Sequence, residues 1–406
     1  MIILPKVRGF ICTTAHPDGC AKNVKHQIDY VKKNIVKPEN LKPTKVLIIG
    51  ASTGYGLASR IVSSFGYGFP TIGVFWERNA IAEKTTSSAG WYNSAAFERE
   101  ADNSDLYAKS INGDAFSIEV KERTIELIKQ DWQTVDLIIY SVAAPRRVIN
   151  GVIYNSVLKP VGEAYKNKTV DINTGKVSEI EILPATQEEL EATIKVMGGE
   201  DLRLWVDLLH SNNLLANDCK IIAYSYIGPE ITYPVYRNGT IGLAKEHLEK
   251  TVKQLDEFLI TNYHGRALVS VNKALVTQAS AAIPVVPLYI SLLYKVMKSK
   301  NIHEGCIEQI TRLFNKYLYD SNDGANYLLL DNLGRIRIDE LEMREDVQQE
   351  VLKLWEIVNT ENLATISDLF GYKEEFYKLF GFNFTEVNYE QDYSINVPIP
   401  SVIEYV

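Results

Sequence analysis

The segment that most constrains this chain is the apolar run Lys45-Val46-Leu47-Ile48-Ile49, which passes without a break into Gly50-Ala51-Ser52-Thr53-Gly54-Tyr55-Gly56. The run predicts a buried strand. Beyond the glycines, Leu57, Ala58, Ile61, Val62 and Phe65 recur on one face, the stripe of a helix packed on a sheet. A strand, a glycine turn and a helix in direct succession present the first helical amides outward with partial positive charge, a geometry that receives a pyrophosphate. The glycines allow the tight turn, close ligand approach and close helix–strand packing. The spacing differs from G-x-G-x-x-G, and the missing G-K-[ST] ending argues against a phosphate-binding loop of the ATPase kind.

Five further apolar runs follow at intervals filled by helical patterns: 70–75, 106–111, 135–140, 220–227 and 266–271. Buried strands that alternate with helices predict an α/β fold, a Rossmann-type doubly wound parallel sheet. The expected layout is a single enlarged domain over 1–406: an N-terminal extension (1–44), a core (45–145 and 216–299), an insertion (146–215) and a C-terminal helical extension (300–406). Within the insertion, residues 169–182 predict a hairpin that turns at Asn173-Thr174-Gly175. Within the C-terminal extension, Leu341, Val347, Val351, Leu354 and Trp355 predict a helix over 341–358. No repeat or Ser/Gly-rich linker marks a boundary.

Charge narrows the partners. Lys plus Arg total 43 against 51 for Asp plus Glu, so the formal charge is −8 and no long basic block tracks phosphates, which argues against nucleic acid. Four scattered cysteines cannot staple a chain of this size and fit a reducing compartment, the cytoplasm by default. The first residues lack the apolar core of a secretory signal. The stretch 281–297, broken by Pro284 and Pro287, is too short to span a bilayer and reads either as a buried helix or as cover for an acyl chain. Cys12, His16 and Cys20 make an incomplete ligand set, as do His303, Glu304 and Cys306, so no metal is expected.

Glu77 follows the second strand, where an acid receives adenosine ribose hydroxyls and repels a 2′-phosphate, which favours NADH over NADPH. Arg78 and Arg60 weigh against it, because a guanidinium pairs with that phosphate. Asp114 either accepts the adenine amino group or caps a helix. Ser141-Val142-Ala143-Ala144-Pro145 is either a plain tight turn or the close run of chain past a ribose and nicotinamide.

Tyr236 and Lys245 form the candidate catalytic pair. A phenol ionises near pH 10, so an adjacent cation helps it to act as a proton donor or anion stabiliser near neutrality. Nine residues at about 100° each put the two on opposite faces of a regular helix. Tyr236 is therefore expected before the helix, with the start near Gly239, Asn238 or Thr240 as N-cap, and Lys245 on the second turn.

The glycine spacing is that of short-chain reductases, which use Y-x3-K, whereas the commoner bacterial enoyl reductase uses Y-x6-K. RGFICTTAHPDGC, GASTGYGLASR, GWYNSAAFE, SINGDAFS, SVLKP, VMGGED, AYSYIGPE, the Y-x8-K stretch, SVNKALVTQAS and HEGCIEQI resemble, over nearly the whole length, the blocks of the FabV class of enoyl-thioester reductases, also called trans-2-enoyl-CoA reductases. The resemblance implies NADH-dependent reduction of the 2,3 double bond of a trans-2-enoyl-CoA or enoyl-acyl carrier protein in fatty acid synthesis, by a monomer without metal or flavin. It further implies Tyr236 as proton donor, Lys245 on the cofactor, and Tyr226 on the substrate. Gly50, Ala51, Ser52, Thr53, Gly54, Tyr55, Trp76, Glu77, Asp114, Ala115, Val142, Ala143, Leu275, Val276 and Thr277 are placed by it on NADH. Trp76 stands where Phe is also accepted. A short-chain carbonyl reductase and a non-catalytic NAD(H) sensor are the competing readings; the pairing of Tyr236 with Lys245 argues against the sensor.

Overall fold

Among the described residues, eight mutually parallel strands make the central sheet: β1 (Val46–Ile49), β2 (Thr71–Phe75), β3 (Ala108–Asn112), β4 (Val135–Tyr140), β5 (Leu215–Ser225), β6 (Arg266–Val271), β7 (Ile336–Arg337) and β8 (Val402–Glu404). Their spatial order is β7-β6-β5-β4-β1-β2-β3-β8. The computed structural model describes residues 1–9, 11–38, 41–81, 85–319 and 330–405, so residues 320–329 of the expected C-terminal extension lie outside the described residues. The six expected strands are present, and the C-terminal extension, read as helical, also contributes β7 and β8, one to each edge. These two strands have two and three residues, too few for an apolar pattern to register.

The chain order reverses between β1 and β4, which opens a crevice at the carboxyl ends of those strands. Alternate residues of each strand enter two cores. Val46 and Ile48 pack with α1 (Pro17–Asn34), α2 (Gly54–Ile61) and α3 (Ala89–Asp102), whereas Leu47 and Ile49 pack with α4 (Ile118–Asp131). Burial on both faces explains why the strands read as continuous apolar runs. Of the helices between β4 and β5, α5 (Gln187–Met197) lies beside the long α7 (Thr240–Tyr263). The other, α6 (Glu200–Ser211), sends Leu202, Trp205 and Leu209 into the α4 core, so the 146–215 stretch supplies a crossover helix as well as hairpins.

The predicted hairpin is longer than expected, pairing Tyr165–Val170 with Val177–Ile182. Its turn is where the sequence puts it: Asp171 Oδ1 accepts from the amides of Asn173 and Thr174, and Gly175 has a φ of 74°. A second hairpin, Arg146–Ile149 with Val152–Asn155, turns on Asn150-Gly151, both left-handed. The helix expected over 341–358 runs Glu345–Ile357, so Leu341 precedes it. The Pro-interrupted stretch gives α8 (Val286–Ser299), buried along most of its length. Val285, just before α8, holds a φ of 73°, which for a β-branched residue costs about 1–3 kcal/mol.

Candidate active site

At the end of β1 the three glycines have separate tasks. Gly50 has a φ of 90°, and a Cβ there would collide with the carbonyl of Ser141 at the end of β4. Gly56 packs on the carbonyl of Gly50 with no room for a side chain, which brings α2 down onto the strand. Thr53 caps α2 without a side-chain hydrogen bond, so the helix keeps its first amides for a ligand. Tyr55 turns inward: its hydroxyl oxygen lies 2.9 Å from both the carbonyl of Lys273 and Oε1 of Gln309, leaving only its backbone to the turn. Thr277 lies over the same turn, its Cγ2 3.9 Å from the position of a Cβ on Gly54, and Leu275 and Val276 directly precede it. Ser280, which sequence reasoning passed over, holds this segment by donating to the carbonyl of Leu275 (2.6 Å) and accepting from the amide of Thr277 (2.9 Å).

Glu77 sits after β2 and accepts a hydrogen bond from Ser52 of the glycine turn (2.6 Å). Burial pushes its carboxyl pKa up, while Ser52, Ser88 and Arg78 pull it down. Asn112 is a residue the sequence reading missed. Its Oδ1 accepts from the amide of Glu77 (2.8 Å) and its Nδ2 donates to the carbonyl of Glu77 (3.0 Å), a two-point bracket across the β2–β3 boundary. Trp76 is 63% exposed, its indole at the rim.

The two arginines separate. Arg60 is fully buried, with Nη2 3.5 Å from Glu98 Oε1, so it faces the α3 core and not a 2′-phosphate. Arg78 is exposed and donates to the carbonyl of Thr86 (3.3 Å). Asp114 Oδ1 accepts from the amide of Phe116 (2.9 Å), while the cap of α4 is Ser117, which removes the helix-cap reading of Asp114. Lys121, in a buried ion pair with Asp201 (2.7 Å), donates to the carbonyl of Ala115 (2.7 Å) and fixes that turn. Val142 and Ala143 follow Ser141, beside the glycine turn.

Tyr236 lies in the lead-in to α7, whose cap is Gly239 and whose first residue is Thr240. Its carbonyl accepts from the amides of Gly239 (3.0 Å) and Gly242 (2.9 Å), and a Cβ at Gly242 would strike the carbonyls of both Tyr236 and Arg237. The glycines let the loop fold back on the helix, which places Lys245 on the second turn. Lys245 donates to the carbonyl of Tyr224 in β5 (3.2 Å). Burial lowers its pKa to about 8 against the opposing field of Glu249. Burial also pushes the Tyr236 phenol up, so at neutral pH the pair is a neutral phenol and a charged ammonium. The ring of Tyr226 meets that of Tyr236 edge-on, with centroids 4.8 Å apart. A phenol donor, a second tyrosine and a buried cation at the carboxyl end of β5 can meet negative charge developing on a carbonyl oxygen.

Known proteins sharpen the identity of this arrangement. Residues 85–319 match the trans-2-enoyl-CoA reductase catalytic region and residues 2–82 the NAD(P)H binding domain of trans-2-enoyl-CoA reductase. The chain is 60% identical over 405 residues to an enoyl-[acyl-carrier-protein] reductase [NADH] of Coxiella burnetii, covering 99% of this chain and 98% of that one. It is 55% identical over 401 residues to a trans-2-enoyl-CoA reductase [NADH] of Ruminiclostridium cellulolyticum, covering 98% and 99%. A Treponema denticola trans-2-enoyl-CoA reductase in complex with NAD superposes with a TM-score of 0.92 at 48% identity, covering 97% of this chain and 98% of that one.

Residues 330–393 match a segment described as an enoyl reductase FAD binding domain. Among the described residues it holds no glycine turn of the kind that cradles a dinucleotide pyrophosphate. Of its glycines, Gly371 packs on Asp368 and Lys298, Gly381 packs on the backbone of α1, and Gly334 lies in the turn before β7, so none forms a strand–turn–helix cradle for a pyrophosphate. The chain belongs to the trans-2-enoyl-CoA reductase family.

Proposed function

We propose that this protein reduces the 2,3 double bond of trans-2-enoyl thioesters with NADH in fatty acid synthesis, the acyl chain arriving on coenzyme A or on acyl carrier protein. The observation that carries the reading is the placement of Tyr236 before α7 and Lys245 on its second turn, at the same end of the sheet as the glycine turn. Gly50 to Gly54, Glu77, the 114–115 turn, Val142, Ala143 and the 275–277 segment would hold NADH, with Trp76 at the rim and Tyr55 contributing backbone. When bound, NADH supplies a hydride for the β-carbon of the substrate.

As the double bond is reduced, its electron pair moves towards the thioester carbonyl and negative charge builds on that oxygen. Tyr236 meets the charge with its hydroxyl and provides the proton. Its raised pKa keeps it a donor at neutral pH. Lys245, charged below about pH 8, binds the nicotinamide ribose and keeps the local potential positive. Tyr226 holds the substrate beside Tyr236, and α8 covers the acyl chain. The enzyme works as one enlarged domain, monomeric and cytoplasmic.

Crotonyl-CoA and acetoacetyl-CoA, each offered with NADH, test the reading. Turnover of crotonyl-CoA alone is expected; preferential turnover of acetoacetyl-CoA would make the protein a carbonyl reductase. The same enoyl chain delivered on coenzyme A and on acyl carrier protein then identifies the carrier.

A further inference from the structure

Between β7 and α9 (Glu345–Ile357) lies Glu342, which is fully buried although the enoyl reduction gives it no task. Its carboxylate gathers three donors. Oε1 accepts from the hydroxyls of Tyr289 (2.7 Å) and Tyr226 (3.1 Å), and Oε2 accepts from the amide of Ala274 (2.7 Å). Gln348 steadies the arrangement, donating to the carbonyl of Glu342 (2.7 Å) and lying 3.2 Å from the hydroxyl of Tyr289.

The three donors come from three separate segments that meet at Glu342. Tyr226 follows β5 and meets the ring of Tyr236, Ala274 immediately precedes the 275–277 segment over the glycine turn, and Tyr289 belongs to α8. Gly228, with a φ of 73°, leaves the space Tyr226 needs, because a Cβ there would run into the Tyr226 ring and hydroxyl. Only a carboxylate accepts from all three donors without presenting a hydrogen of its own. A buried carboxylate tied this way is costly to disturb, since any donor it loses leaves an unsatisfied group away from water.

We propose that Glu342 is a positioning residue for the enoyl reduction, holding the Tyr226 hydroxyl and the Ala274 end of the cofactor-side segment in one fixed register. The proposal rests on the reading of Tyr226 as a substrate-binding residue. Through Glu342, the 330–393 segment takes part in the reaction.

A double-mutant cycle in the full chain tests it, with Glu342→Gln, Tyr226→Phe and both together. Steady-state kcat and KM for crotonyl-CoA, NADH affinity by fluorescence and the thermal midpoint are measured for each. In Glu342→Gln the side-chain carbonyl can still accept from the rigid amide of Ala274, while the tyrosine hydroxyls can rotate to accept from the new NH2. The glutamine variant is therefore expected to fold and to bind NADH within about threefold of the parent, while kcat/KM for crotonyl-CoA falls about tenfold, some 1.4 kcal/mol. The double variant is expected to be no slower than Tyr226→Phe alone. A folded Glu342→Gln enzyme with unchanged kcat/KM, or two losses that simply multiply, would overturn the proposal. Full activity in Tyr226→Phe would instead remove the underlying role of Tyr226 and the proposal with it. If the glutamine variant does not fold, Glu342→Asp, which keeps the charge and withdraws it by one methylene, carries the same cycle.

Discussion

Between Val46 and Ile61 the glycine turn draws on consecutive residues: strand, glycines and helix each shape the next. The tyrosines on the other side of the cleft depend on distant ones, for Tyr226 finds its hydrogen-bond acceptor in Glu342, 116 residues further along the chain. The backbone shape of the cradle is set by contiguous residues, and the remote groups that touch it, Glu77, Ser141 and Thr277 among them, close around a turn already formed. A site assembled across such distances exists only once the whole chain has packed, and its chemistry is tied to the integrity of the C-terminal elements.

The sharpest way to separate the two sides is Tyr236→Phe. It removes the hydroxyl proposed as donor and leaves the glycine turn untouched, so turnover of crotonyl-CoA is expected to fall on the order of 10³-fold with NADH binding unchanged by fluorescence. Unchanged turnover would take Tyr236 out of the mechanism.

At the proposed cofactor site, Glu77 and Arg60 should respond oppositely. Arg60→Met leaves Glu98 buried without its partner and is expected to cost about 3–5 kcal/mol in denaturant unfolding, with the ratio of NADH to NADPH use unchanged. Glu77→Ala, which leaves the buried Ser52 hydroxyl without its acceptor, should cost only about 1 kcal/mol and relax discrimination against NADPH by roughly tenfold in kcat/KM. If Arg60→Met alters cofactor choice instead, the separation of the two arginines is wrong.

The smallest effect concerns pH. Lys245, at a pKa of about 8, loses its charge as pH rises through that value, so kcat/KM should fall above about pH 8. Stability moves the other way. The unfolded chain titrates this lysine near 10.5, so from about 8 to 10.5 the unfolded state binds more protons, and this group's contribution to stability increases with pH. A falling rate without a falling thermal midpoint across that window is the expected pair of curves; a level rate profile would show that the charge on Lys245 is not required.

Much of the sheet was legible because buried parallel strands are apolar on both faces and long enough to register, as in β1 and β4. The spacing of Tyr236 and Lys245 likewise required a break before the helix, and α7 begins at Thr240. What escaped was encoded by contact and not by pattern. Asn112 reads as one more polar residue at a strand end until its amide is seen to bracket Glu77, and Glu342 is an ordinary acid in a charged stretch until packing removes its water. Arg60 misled for the related reason that its position on the first helix does not reveal that it faces the core. The Asn150-Gly151 hairpin did carry a local signal, the dipeptide that favours a left-handed two-residue turn.

The short strands β7 and β8 at the two ends of the sheet bear on how copies of this protein meet one another. An exposed strand edge is a template for pairing with another chain, and proteins blunt it by keeping edge strands very short. Two and three residues offer a neighbour few backbone groups to pair with. Among the described residues, the ends of the central sheet therefore give sheet-to-sheet polymerisation little to start from.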